Sequence, residues 1–117
     1  MDSKYFSCGL DAALTVVEGK WKPLILWELH VSPRRYGELR RLLPGISEKV
    51  MIQQLKQLCS HGLVDRTDFG EVPPRVEYSL TPLGESLNAA LIPLGDWGEH
   101  HVGHLESVHA HSDVTSP

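Results

Sequence analysis

The sequence predicts a mainly helical α+β fold, and three observations carry that prediction. Apolar residues recur at helical spacing in the first half of the chain and again after Pro82. Between these regions, "LVDRTDF" (63–69) and "RVEYSL" (75–80) alternate apolar and polar residues on either side of "GEVPP" (70–74), which is the pattern of a β-hairpin with a stiffened loop. A length of 117 residues suits one domain with a real core, and falls short of what normally encloses a deep enzymatic cleft.

Each element has a local reason. In "LDAALTVVE" (10–18) the apolar spacing is helical, Asp11 suits the first turn and Gly19 can close the helix. "KPLILWELHV" (22–31) follows, with Pro23 tolerated in a first turn and Ser32-Pro33 ending it. "RRY" (34–36) can add a short edge strand, and "YGELRRLLP" (36–44) reads as a compact helix with Leu39, Leu42 and Leu43 inward, stopped by Pro44-Gly45. Ser47 then caps a helix running to about Ser60, with Gly62 as its stop. From Pro82 a last helix carries Leu83, Leu87, Leu91, Leu94 and Trp97 as a stripe, with Pro93 predicting a kink. Residues 1–107 are expected to form the domain and 108–117 a mobile tail.

The charge is segregated. The net charge is −4, yet residues 20–75 hold ten Lys or Arg against six Asp or Glu, while 76–117 hold six acids and no Lys or Arg. The basic surplus lies where a polyanion could be met. On a wheel of about 100° per residue, Met51, Leu55 and Leu58 share one face of the 47–60 helix and Lys49, Gln53 and Lys56 the opposite one. Lysine contacts phosphate or guanine and glutamine pairs with adenine, so this face suits a DNA major groove. A merely solvated face would carry the same residue types.

Context favours the groove. Two helices joined by "PGIS" resemble a helix-turn-helix, and a hairpin after it makes a winged helix. Arg75, at the hairpin end, is placed to reach phosphate or a narrow minor groove. A winged-helix module that binds protein instead of DNA is the competing reading. It would carry apolar or acidic residues in place of Lys49, Gln53, Lys56 and Arg75.

The segments "EGKWKPLILWEL", "RRYGELRRLLPGISEKVMIQQLKQL", "HGLVDR" and "EVPPRVEYSLTPLGESL", ending in "DWGEHH", resemble the HxlR-type family of bacterial transcriptional regulators, relatives of the MarR group. The resemblance spans about Cys8 to His101. It implies a homodimeric winged-helix protein on a near-palindromic operator in double-stranded DNA. Carried over residue by residue, it puts Ser47, Lys49, Gln53 and Lys56 on the recognition helix and Arg75 on the wing, with Arg34, Arg40 and Arg41 as further phosphate contacts.

Terminal helices then read as dimer architecture, because the stripe from Leu83 to Trp97 exceeds what one small winged domain must bury; Leu14 in the first helix is expected to join it. Cys8 precedes the first helix with Lys4 nearby, and a helix N-terminus plus a cation favours a reactive thiolate. Some members of the family sense electrophiles or oxidants through such a cysteine, although Gly9 stands here where Cys-Pro is typical of the family. An ordinary reduced cysteine is the alternative. Cys59 reads as inert packing.

His100 and His104 have i, i+4 spacing, with His101, His109 and His111 nearby, but they make no full zinc motif, and no metal or other cofactor is expected. Any small-molecule effector is unspecified. No phosphate loop, G-x-S-x-G elbow or H-E-x-x-H occurs, so an enzyme is not expected. Neither a signal-peptide layout nor an apolar run of about 18 residues is present, and two cysteines fit no disulfide framework, which together predict a cytoplasmic protein without membrane contact.

Overall fold

Capping and turn chemistry divide the chain much as its spacing predicts. A computed structural model describes residues 3–115, with side-chain surroundings through residue 110. Its elements are α1 (Gly9–Val16), α2 (Trp21–Val31), β1 (Arg34–Arg35), α3 (Tyr36–Leu42), α4 (Glu48–Ser60), β2 (Val64–Asp68), β3 (Val76–Leu80) and α5 (Pro82–Thr115). The strands form one antiparallel sheet in the order β1-β3-β2, with Arg34 opposite Tyr78 and Val64 opposite Leu80. This is a mainly helical α+β winged helix.

The core gathers where α2, α3, α4 and the base of the hairpin meet. Ile25, Leu26, Leu39, Met51 and Leu58 are its fully buried side chains. Ser47 accepts a hydrogen bond from the Val50 N–H at 3.2 Å, the N-cap its sequence position predicts. On either side of that cap, Ile46 and Met51 both enter the core, the spacing of a hydrophobic staple that fixes how the chain enters α4. Gly45, at φ +95°, supplies the left-handed backbone of the preceding turn. One inward assignment fails here. Leu39 and Leu43 are buried, but Leu42 is 40% exposed, because α3 ends at Leu42 and the chain leaves helical geometry at Leu43 (φ −122°, ψ 70°).

α5 is seated on the hairpin base through Thr81. Its hydroxyl donates to the Gly62 carbonyl at 2.6 Å and accepts the Gly84 N–H at 3.0 Å, while its own N–H reaches the Leu63 carbonyl at 3.1 Å. The helix contains Pro93 and runs through Gly103 to Thr115, past the boundary at 108 that the sequence predicts. No helix among the described residues is long and apolar enough to cross a membrane.

Candidate nucleic-acid interface

The outward face of α4 carries the polar residues that its wheel places there. Met51, Leu55 and Leu58 point into the core, which leaves Lys49, Gln53 and Lys56 exposed on the other side. Ser47 is exposed at the helix start, where its hydroxyl is already engaged as the cap. α3 presents Arg40 and Arg41 to solvent, and Arg40 Nη2 also donates to the Ile46 carbonyl at 3.4 Å, spanning the turn between the two helices. Arg34 is half-buried in β1 and its Nε donates to the Glu28 carbonyl at 3.5 Å, so its guanidinium is partly committed to the fold.

The wing is organised around Arg75. Its guanidinium lies between Glu71 at 3.4 Å and Glu77 at 3.3 Å, with its central carbon 3.9 Å from the centre of the Phe69 ring. Charge pairing and cation–π attraction thus hold the side chain against its own hairpin. The sequence points to a cation reaching outward, whereas in the structure this arginine closes the base of the wing loop. The two carboxylates offset its charge. Arg35 and Arg66 are exposed on the sheet and are further basic side chains that the sequence reading passed over. For Arg66 alternation gave no outward signal, because it stands two residues after buried Val64 and so on the same face of β2, which is exposed from Asp65 onward.

Apart from Lys4 and Lys20, the exposed cations thus come from α3, α4 and the sheet, while 76–117 contribute none. The sequence pattern of HxlR-like helix-turn-helix proteins matches residues 16–106. The chain belongs to the HxlR-like helix-turn-helix family. Over 98 residues it is 47% identical to the HTH-type transcriptional regulator YkvN of Bacillus subtilis, covering 84% of this chain and 83% of that one. Among solved structures it resembles the HTH-type regulator YtcD at TM-score 0.76 and 41% identity, covering 82% of this chain and 98% of the other. It resembles the redox regulator HypR in its reduced form at TM-score 0.81 and 35% identity, covering 86% and 99%.

In this HxlR-like chain Cys8 is the N-cap of α1. The Asp11 N–H points at its sulfur at 3.5 Å. That hydrogen bond is the main cause of a thiol pKa below the ordinary value; slight burial opposes it, and the Leu10 N–H and the Ser7 side chain assist. Lys4 is not among the causes, and its ammonium stands 5.3 Å from the centre of the Tyr5 ring instead. Cys59 behaves oppositely. Burial, then the Asp65 carboxylate, push its thiol up, with Arg66 offsetting part of the effect.

The α5 stripe divides into two groups. Leu87 and Leu91 are half-buried against the core of their own chain, whereas Leu83, Leu94 and Trp97 are exposed at 57%, 64% and 54%, as is Leu14 on α1 at 56%. Leu105 and Val108 extend the exposed apolar surface beyond the predicted stripe. Among the histidines, His101 stacks on Trp97 with ring centres 4.7 Å apart, and the Nδ1 atoms of His100 and His101 meet the carbonyls of Asp96 and Trp97. The side chain of His111 lies outside the described residues. Among the described residues, no group of three or more His, Cys, Asp or Glu side chains is arranged to hold a metal ion.

Proposed function

We propose that the protein is a DNA-binding transcriptional regulator that acts as a homodimer, with α4 reading base edges in the major groove and the wing lying along the adjacent backbone. The observation that carries this reading is the exposed Lys49, Gln53 and Lys56 face of α4, flanked by Arg40 and Arg41, on a chain whose remaining surface grows acidic toward α5. Family membership and the regulator names of its relatives support it. Gln53 is the side chain on that face with both a donor and an acceptor for an adenine edge, and the arginines and lysines hold phosphate.

The dimer is built from the ends of the chain. Leu14, Leu83, Leu94 and Trp97 are large apolar side chains left exposed on α1 and α5, and a twofold contact between copies would cover them. Two recognition helices then enter successive major grooves about 34 Å apart, which requires an inverted-repeat operator. Cys8 is the redox-responsive residue: its depressed thiol pKa and exposed position, together with the likeness to the redox regulator HypR, support that role. Genomic DNA fragments retained by the purified protein, followed by footprinting, test the central reading. Symmetric protection of an inverted repeat is the expected result, and protection of a single unsymmetric half-site contradicts it.

A further inference from the structure

A cleft of about 380 Å³ lies where the end of α2, the end of β3 and the first turns of α5 meet. Leu29, Val31 and Leu80 supply apolar wall, and Ser79, Glu85 and Asn88 supply polar groups. Asn88 is only 4% exposed, and its Oδ1 is buried without a hydrogen-bond partner among the described residues. A buried acceptor left unpaired costs free energy that a fold normally avoids, so an uncompensated amide on a cleft wall marks a place where something else supplies the donor. Glu85, three residues earlier on the same face of the helix, also lines the cleft.

We propose that this cleft binds small amphiphilic ammonium compounds, with the Asn88 carbonyl and the Glu85 carboxylate accepting hydrogen bonds from the ammonium group and Leu29, Val31 and Leu80 packing its hydrocarbon part. The charge balance selects the ligand's sign. Glu85 is the carboxylate on the cleft wall and no Lys or Arg lines it, while Arg34, next to Pro33, turns its Nε to the Glu28 carbonyl, so the wall itself favours a cation over a carboxylate. His30, also on the rim, has its Nδ1 against the Trp27 carbonyl.

An occupied cleft also touches three elements at once. Ser32 and Pro33 lead into β1, Ser79 and Leu80 close β3, and Glu85 and Asn88 belong to α5, so a ligand here bridges the winged part and the long helix. A ligand that binds one arrangement of these elements better than another shifts the balance between them. This coupling to operator affinity rests on the regulator reading; the binding itself does not.

The test titrates phenethylammonium into the uniformly labelled full chain and follows backbone amide resonances, with 3-phenylpropionate and 2-phenylethanol as matched probes. Saturable shifts at Val31, Ser79 and Asn88 with the ammonium compound are expected, with the alcohol weaker and the carboxylate weakest. Glu85→Gln, at an exposed position, should weaken ammonium binding about tenfold, in keeping with loss of one charged hydrogen bond, and Asn88→Leu should abolish it. Absence of saturable shifts, equal binding of the carboxylate, or unchanged binding in both variants overturns the proposal. So does a change in sedimentation of Asn88→Leu, which would assign the amide to a contact between subunits. Gel shifts without any amine, run on the same samples, keep the two readings apart: operator binding without amine binding sinks the cleft alone, and amine binding without DNA binding sinks the regulator reading alone.

Discussion

Gly84 faces the backbone carbonyl of Leu63 so closely that a β-carbon at position 84 would overlap it. The same carbonyl accepts the Thr81 N–H, so the first turn of α5 is clamped to the hairpin base at one atom. Gly84→Ala is therefore expected to lower stability by about 1–3 kcal/mol, since backbone must move to admit the methyl group. Gly103→Ala, where a β-carbon meets nothing within 4 Å, should instead raise stability by up to about 1 kcal/mol through helix propensity. Thermal unfolding of the two variants beside the parent checks both signs.

Base readout and backbone holding should separate at Gln53. Gln53→Ala is expected to cost about 1–3 kcal/mol on the preferred operator and little on random duplex, relaxing one base position per half-site. Equal weakening on both duplexes would remove the assignment of Gln53 to base recognition.

The clasp around Arg75 predicts an unusual gain. Glu71→Gln removes one of the two carboxylates that hold the guanidinium, and should strengthen binding to operator and scrambled duplex alike. It should also steepen the salt dependence by roughly one unit of slope if the released arginine gains a phosphate. Arg75→Ala should weaken both duplexes, leaving Glu71 and Glu77 uncompensated at the wing. Binding isotherms at several salt concentrations decide the matter, and an unchanged slope in Glu71→Gln would leave Arg75 as a purely structural brace.

The two thiols should differ in reactivity. Thiolate is the reactive form, so as pH rises from mildly acidic values Cys8, whose pKa is lowered by the Asp11 N–H, ionises before Cys59, whose pKa is raised chiefly by burial. Alkylation at neutral pH followed by peptide mass analysis should label Cys8 first. Diamide should alter operator binding in the parent and in Cys59→Ser, but not in Cys8→Ser. Modified Cys8 with unaltered DNA binding would make the thiol a bystander.

Subunit contact is better probed away from Leu87 and Leu91. Both pack against their own core, so a charge at either position damages the fold as well as any interface. Leu94→Glu and Trp97→Glu, at exposed positions, are expected to give folded monomers, because a twofold contact places each introduced charge there twice. Sedimentation of an intact dimer from the double variant would show that α5 is not the contact.

Features set by a few neighbouring residues were legible in the sequence. Ser47 before an apolar-spaced run, Gly62 after it and Pro82 at the next start each act within one turn, and the structure puts a helix boundary at or beside each of them. The buried face of α4 followed from spacing because the helix is regular for its whole length. Leu42 was misplaced because the helical phase ends one residue before Leu43 turns inward. Arg75 was legible as a wing residue but not as a clasped one, because Phe69, Glu71 and Glu77 surround it only after the loop has folded back. Asn88 gave no sign in the sequence, since an asparagine in a leucine-bearing helix looks solvent-facing until β3 and α2 close over it.

With 34 residues, α5 is a rod of about 51 Å at 1.5 Å of rise per residue. Thr81 and Gly84 seat its start on residues 62 and 63, while Leu87, Leu91 and the close approach of Gly95 to the Trp27 ring hold it against the core as far as position 95. The 20 residues beyond it, 96–115, add about 30 Å, and a bend of about seven degrees at position 95 carries their far end roughly 3.7 Å. Such leverage makes the packing of Gly95 on Trp27 a gauge: a small change in that contact becomes a displacement of several ångströms at the distal end of the helix.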